Sequence, residues 1–254
     1  VTETITPTQF AGLPIQRPRD RVRNVNMLIY GEAGVGKTWL AGSAHEVPGM
    51  RNVLYVDAES GADTLKQAWP DVETLTATCW ADYDRIYAAC LAGAHDYRTI
   101  VLDSISEILE HCKEAVMEEL KMDPENEKRD PDIPSIREWG KILVRMLRFV
   151  RRFRDLPMNV IFIAHADLTK DKMGKSKWEP LVNGKFQKKL PQIPDVVLFM
   201  YRQEIEGVQT RLLLTQQTDK AVAKVRGVVM PMVIGAENES VTMETIMNYY
   251  KENA

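Results

Sequence analysis

The sequence predicts an α/β fold with a mostly parallel central sheet, helices on both faces, and antiparallel edge strands near the C-terminus. Three observations predict it. Apolar, β-rich runs alternate along the chain with stretches of helical periodicity, the pattern of strands joined by helical crossovers. A glycine-rich GxxxxGK[ST] pattern stands between the first such run and the first helix. Past residue 201 the runs shorten and polar turns separate them, as in hairpins.

The elements follow in order. Residues 1–25 carry Pro7, Pro14 and Pro18 around Phe10, Leu13 and Ile15, which suits an extended arm better than a helix. Such an arm either straps its own domain or docks on a neighbouring subunit. Asn26–Tyr30, Val53–Asp57, Thr99–Asp103, Asn159–Ala164 and Val196–Tyr201 read as buried strands, because both of their faces are apolar. Lys37–His45, Asp82–Ala94, Ser104–Leu120 and Ile136–Asp155 read as helices. The last places Trp139, Ile142, Leu143, Met146, Phe149, Val150 and Phe153 on one core-facing stripe. On its other face Lys141, Arg145, Arg148 and Arg152 form either a solvated surface or a basic track. Between the last two helices, MDPENEKRDPDIP, broken by Pro124, Pro131 and Pro134, reads as an exposed, mobile loop. Thr210–Thr215 and Ala221–Val225 are expected as edge strands, and a helix is expected at Met243–Glu252. The organisation is therefore an arm (1–25), a core (26–235) and a C-terminal helix or tail (236–254).

Composition narrows the function classes. A chain of 254 residues, 44% of them apolar, has the material for one sizeable core, which excludes disorder throughout. Its 33 Lys and Arg against 36 Asp and Glu, net -3, leave no bulk polybasic character, so any nucleic-acid surface must be local. Cys79, Cys90 and Cys112 lack CxxC spacing and read as reduced core thiols. No run of about 18 apolar residues exists and the N-terminus lacks a secretory pattern, so a cytoplasmic protein that crosses no membrane is expected.

The chemistry begins at Gly31-Glu32-Ala33-Gly34-Val35-Gly36-Lys37-Thr38. Glycines there let successive backbone N–H groups converge on phosphate oxygens, Lys37 reaches the β- and γ-phosphates, and the Thr38 hydroxyl ligates Mg²⁺. ATP and Mg²⁺ are the expected cofactors. Asp103, at the end of the strand TIVLD, would hold Mg²⁺ opposite Thr38; the plainer alternative is a cap on the next helix. No Glu follows Asp103, so the carboxylate that activates water is sought on another strand, and VLYVDAE supplies Glu59. Neighbouring parallel strands end at the same crevice, which brings Glu59 within reach.

The phosphate loop, VLYVDAESGAD and TIVLDS, in that order and spacing, resemble the ATPase core of RecA-type recombinases over residues 26–226. The resemblance implies that Glu59 is the catalytic carboxylate and that Asp63 contacts the adenine, while Lys66 stands where that family carries its adenine-stacking aromatic. GLPIQRP, NMLIYGEAGVGKT, FRDLPMNVIFIAH and LLLTQQTDKAVAKVRG are similar to phage-encoded, single-domain RecA-like proteins of the single-strand annealing group. That resemblance implies an ATP-dependent partner in phage recombination, working in the bacterial host cytoplasm, with a phage or host single-strand-binding protein as a further candidate partner.

His165, at the end of IFIAH, occupies the place where RecA-like proteins carry a polar γ-phosphate sensor; alternatively it only finishes a strand. From His165 to Leu190 seven lysines (170, 172, 175, 177, 185, 188, 189) face three acids, a local net of +4. Lys170, Lys172, Lys175, Lys177, Lys185, Lys188 and Lys189, interleaved with Trp178 and Phe186, suit single-stranded DNA, which needs backbone neutralisation and base stacking together. The alternative is a solvated loop. Lys224 and Arg226 resemble the KxR element that RecA-fold hexamers insert into the next subunit's ATP, which implies a head-to-tail homo-oligomer, ring or filament. The first reading is a DNA-stimulated ATPase that assists annealing or strand exchange. Its rivals are an ATP-switched DNA-binding module with negligible hydrolysis and a hexameric helicase-type motor.

Overall fold

The computed structural model describes residues 8–15, 24–122, 130, 132–170, 174–236 and 240–252. Lys172 and most of the proline-interrupted segment expected to be mobile lie outside them. Within the arm, β1 (Thr8–Phe10) and β2 (Leu13–Ile15) pair as a small antiparallel hairpin.

The main sheet is built on β3 (Asn26–Gly31), β4 (Val53–Asp57), β5 (Glu73–Thr76), β6 (Thr99–Asp103), β7 (Asn159–Lys170) and β9 (Val196–Ile205). These run parallel in the order β9-β3-β7-β6-β4-β5. β10 (Val208–Leu214) and then β12 (Val233–Ile234) extend it antiparallel beyond β9, and the two residues of β11 (Lys224–Val225) also pair with β9. β8 (Ser176–Pro180) folds back on β7. The predicted mixture of parallel centre and antiparallel C-terminal edge is the observed one.

Both faces are buried, and the strands show why. Leu28 and Tyr30 of β3 point into one core with Ile108, Phe149, Phe153 and Phe162. Met27 and Ile29, one residue out of phase, point into the other with Leu40, Ala44, Met243 and Ile246. The first core lies under α3 (Trp80–Ala92), α4 (Ile105–Lys121) and α5 (Ile136–Arg154), the second under α1 (Lys37–Gly42) and α7 (Met243–Glu252). α1 runs directly into a 3₁₀ turn at Ser43–Glu46.

Ser135 and Glu138 form a capping box at the start of α5, and Ile142, Met146, Phe149, Val150 and Phe153 make its buried stripe, as the spacing predicts. On its opposite face Arg145 pairs with Glu119 of α4 and Arg152 with Asp84 of α3, with Arg152 also lying over the Tyr87 ring. Half of the basic row is therefore committed to contacts between helices; Lys141 and Arg148 face solvent.

Several expectations need correction. α2 (Leu65–Ala68) and β5 carry no strong period, and every side chain of β5 is exposed on the sheet edge, so apolar patterning does not mark them. β7 runs six residues past the expected Ala164, and the supposed loop after it is the β7–β8 hairpin followed by α6 (Lys185–Lys189). The expected strand Ala221–Val225 shortens to β11 plus one bridge from Ala221 to Trp178. Cys79 is exposed at the N-cap of α3 rather than in the core; Cys90 and Cys112 are buried, as expected.

Candidate functional site

The crevice lies at the C-terminal ends of β3, β4, β6 and β7, where the phosphate loop leaves β3 for α1. A Cβ at Gly31 would stand 2.3 Å from the Met200 carbonyl oxygen, so the neighbouring strand fixes that position as glycine. Gly36 has φ 112, a left-handed conformation that side chains resist, and it delivers the chain into α1. Glu32, Ala33 and Gly34 are exposed on the loop, whereas Val35 is packed into the core.

Lys37 is buried, and its ammonium donates to the carbonyls of Gly31 (3.0 Å) and Glu32 (2.9 Å). Burial lowers its pKa, while the nearby Asp103 and Glu59 carboxylates oppose that shift. The loop thus holds a desolvated cation whose hydrogen bonds among the described residues go to neutral carbonyls, with two carboxylates nearby, an arrangement an incoming polyphosphate would improve.

Thr38 donates to Asp103 Oδ2 at 2.9 Å, so the two expected Mg²⁺ ligands meet directly. Tyr55 of β4 donates to the same oxygen. Burial raises the Asp103 pKa, with the Tyr55 and Thr38 hydrogen bonds working against it. The cap reading of Asp103 fails: the N-cap of α4 is Ser104, whose hydroxyl accepts from the Glu107 N–H.

Glu59 follows β4 and is held from two sides, by the Ser104 hydroxyl and by His165 Nε2 at 2.9 Å. The His165 hydrogen bond is the largest influence lowering its pKa; burial pushes the other way, and Ser104, the His165 charge and Lys37 add to the lowering. Glu59 is thereby kept as a carboxylate, the form a general base requires. Its position comes from Asp57, which accepts from the backbone N–H groups of Glu59 (3.1 Å), Gly61 (3.1 Å) and Ala62 (3.0 Å) and so shapes the turn. A cleft of about 640 Å³, lined by Glu59, Ser106, Glu107, His165, Leu181 and Asn183, opens beside this pair towards the residues that follow β8.

Lys37, Thr38, Asp103, Glu59 and His165, spread over 129 positions of sequence, are brought together as one set of side chains. Asp63 is not among them: it is exposed and pairs with Lys66 at 2.6 Å. Sequence reasoning missed Tyr55, Asp57 and Ser104. Asp57 stands inside the DAE run that pointed to Glu59, and Tyr55 lies two positions before it, on the strand face shared with Asp57.

Where it is described, the basic segment is mostly strand and helix rather than loop. Phe186 is buried in the core and offers no stacking surface. Trp178 is half-buried, its ring stacked on Phe199 at 5.8 Å. Val182, Phe186 and Leu190 turn inward because this part of the segment packs, partly as a helix, against the core, whereas Leu168 and Leu181 stay exposed. Lys170, Lys185, Lys188 and Lys189 remain exposed, Lys177 is half-buried, and Lys175 pairs with Asp219 at 3.0 Å.

Lys224 lies opposite Val197 and so sits near the N-terminal end of β9, whereas Gly31 is level with Met200. That offset is roughly 10 Å along the strand, away from the chain's own phosphate loop. The Lys224 Nζ is buried without a hydrogen-bond partner among the described residues, and burial brings its pKa down to about 8. Arg226 is exposed and stands 3.7 Å from Asp195.

No helix among the described residues is long and apolar enough to cross a membrane. No curated protein matches the chain. Among solved structures, a KaiC-like protein from the hyperthermophilic archaeon Pyrococcus horikoshii OT3 aligns over 82% of both chains at 17% identity with a TM-score of 0.45. The AAA domain family matches residues 23–227, most of the chain and the whole of the crevice described above. With its phosphate loop, its Thr38–Asp103 pair and a family match of that extent, the chain belongs to the AAA domain family of P-loop ATPases.

Proposed function

We propose that the chain binds and hydrolyses Mg·ATP, that single-stranded DNA stimulates the hydrolysis, and that the activity serves phage DNA recombination through annealing or strand exchange. The observation that carries the reading is the hydrogen bond from His165 to Glu59. It ties the residue that would activate water to β7, the strand that continues into the lysine-bearing β7–β8 hairpin.

Glu59 would orient a water and take its proton at a carboxylate oxygen. Lys37 would neutralise charge on the transferred phosphoryl group, and Thr38 and Asp103 would hold the metal. Mg²⁺, when bound, supplies further neutralisation of the β- and γ-oxygens. Tyr55 and Ser104 fix the two carboxylates at their stations. DNA on Lys170, Lys177, Lys185, Lys188 and Lys189 would move β7 and its hairpin, and with them the partner of Glu59. Lys224 and Arg226 lie too far from this chain's own phosphate loop to act there, which favours action on a neighbouring copy in a head-to-tail homo-oligomer.

The test is the steady-state ATP hydrolysis rate with and without single-stranded DNA at fixed salt, beside Glu59→Gln and Lys37→Ala. DNA stimulation that disappears in both variants supports the reading. Hydrolysis that is flat with DNA, or unchanged by Glu59→Gln, overturns it in favour of a nucleotide-switched binding module.

A further inference from the structure

On the other side of the phosphate loop, β9 and β10 form a two-stranded ribbon that rises past the end of β3. In its register Arg202 of β9 stands directly opposite Arg211 of β10. Directly opposed like charges on one face of an antiparallel pair are destabilising. Neither guanidinium lies within ion-pairing distance of a carboxylate among the described residues, and Glu204, two residues along the same face, reaches neither.

Both arginines turn to the phosphate loop instead. Arg202 Nη2 donates to the Gly34 carbonyl at 2.7 Å. Arg211 lies against Gly36, where an added Cβ would stand 3.1 Å from its Nε, and its Cζ is 5.6 Å from the centre of the Trp39 indole. A cavity of about 500 Å³ opens here, lined by Trp39, Arg202, Gln209, Thr210, Arg211 and Ser240. Among the described residues, two cations are thus held side by side over a phosphate loop, against one neutral carbonyl, the Gly36 backbone and one aromatic face. The chemistry that would satisfy both forks at once is a polyanion with several adjacent oxygens.

We propose that Arg202 and Arg211 form a clamp, supplied in cis, that grips the phosphate chain of the bound nucleotide on the side away from Asp103 and Glu59. This rests on the reading that the loop takes a nucleoside polyphosphate. The clamp supplies fixed positive charge within the same subunit, whatever a neighbouring copy contributes through Lys224 and Arg226. Engagement draws Arg211 away from Trp39, so that indole reports on it.

The experiment is a titration of the full chain with ATP, ADP and adenosine, following tryptophan emission and affinity by calorimetry. The variants are Arg202→Ala, Arg211→Ala, Arg211→Lys, Lys37→Ala and Trp39→Phe. Each arginine-to-alanine change is expected to weaken ATP and ADP at least tenfold while the melting temperature without nucleotide stays level or rises, because a repulsion has been removed. Arg211→Lys should recover part of the loss, since a point charge replaces a fork. The emission change on ADP should vanish in Trp39→Phe and in Arg211→Ala, and adenosine should bind all arginine variants alike. Wild-type ADP affinity in both alanine variants, with Lys37→Ala impaired, overturns the clamp and leaves the nucleotide reading standing. A wild-type chain that binds neither ATP nor ADP sinks both.

Discussion

The two sides of the phosphate loop are built on opposite principles. Towards β7 and β6 the functional groups already have partners: Asp103 accepts from Thr38 and Tyr55, and Glu59 is held by Ser104 and His165. Towards β9 and β10 two arginines stand opposed, without a carboxylate partner among the described residues. The first side resembles a catalytic machine whose parts are fixed before substrate arrives, so that little reorganisation remains for the reaction. The second resembles a receptor whose charge is left unbalanced for a ligand to balance. Lys37, buried between them, belongs to both.

The largest effect should come from the shared residue. Lys37→Ala is expected to reduce kcat/KM for ATP about 100-fold or more, by leaving the charge on the transferred phosphoryl group without its neutralising ammonium. Retained activity in that variant would break the comparison at its centre.

Next in size, Glu59→Gln should lower kcat by about 10²–10⁴-fold, the range for a general base, while ADP affinity changes little. Single-turnover kinetics beside equilibrium binding separates the two quantities. A parallel fall in both would show that the sides are not independent.

A smaller effect is expected from His165→Ala. Its hydrogen bond is the main influence lowering the Glu59 pKa, so without it the carboxyl protonates at higher pH. With Glu59 in its proposed role as an ionised base, the acid limb of the kcat–pH profile should move to higher pH; an unmoved limb argues that Ser104 alone holds the carboxylate.

Tyr55→Phe removes a buried donor from Asp103 and should cost about 1–2 kcal/mol in chemical denaturation. No loss would mean that Thr38 suffices.

The smallest change lies outside both sides. Lys224 has a folded pKa of about 8, below that of an ordinary lysine, so the folded state carries a penalty for its charged form. The penalty is fully present below about pH 8 and disappears once the pH passes the unfolded lysine value. Lys224→Met should therefore stabilise the protein by about 1 kcal/mol at pH 7, a figure discounted for partial solvent contact, and the gain should shrink near pH 10.5. An oligomer that fails to hydrolyse ATP despite this gain would fit a role for Lys224 at a neighbour's site.

Local pattern made most of the fold readable. A buried parallel strand must be apolar on both faces, and a helix on such a sheet must show an apolar stripe, so β3, β4, β6, α4 and α5 announce themselves. β5 and α2 lack both signals because they lie at an exposed edge, where tertiary pairing decides their conformation. The basic segment misled for a related reason. Lysines interleaved with aromatics look alike whether the rings face solvent or core, and only the β7–β8 pairing and α6 turn Phe186 inward.

The site divides in the same way. The sequence by itself determined the phosphate loop, Asp103 and Glu59, because backbone geometry and charge at a strand end demand particular residue types at fixed spacing. The tertiary structure alone decided that Tyr55 and Ser104 hold the carboxylates, that Asp63 faces solvent beside Lys66, and that Arg202 opposes Arg211 over Gly34 and Gly36. These are contacts across strands and loops, set by sheet register, and register is fixed by packing over the whole sheet rather than by any short stretch of residues.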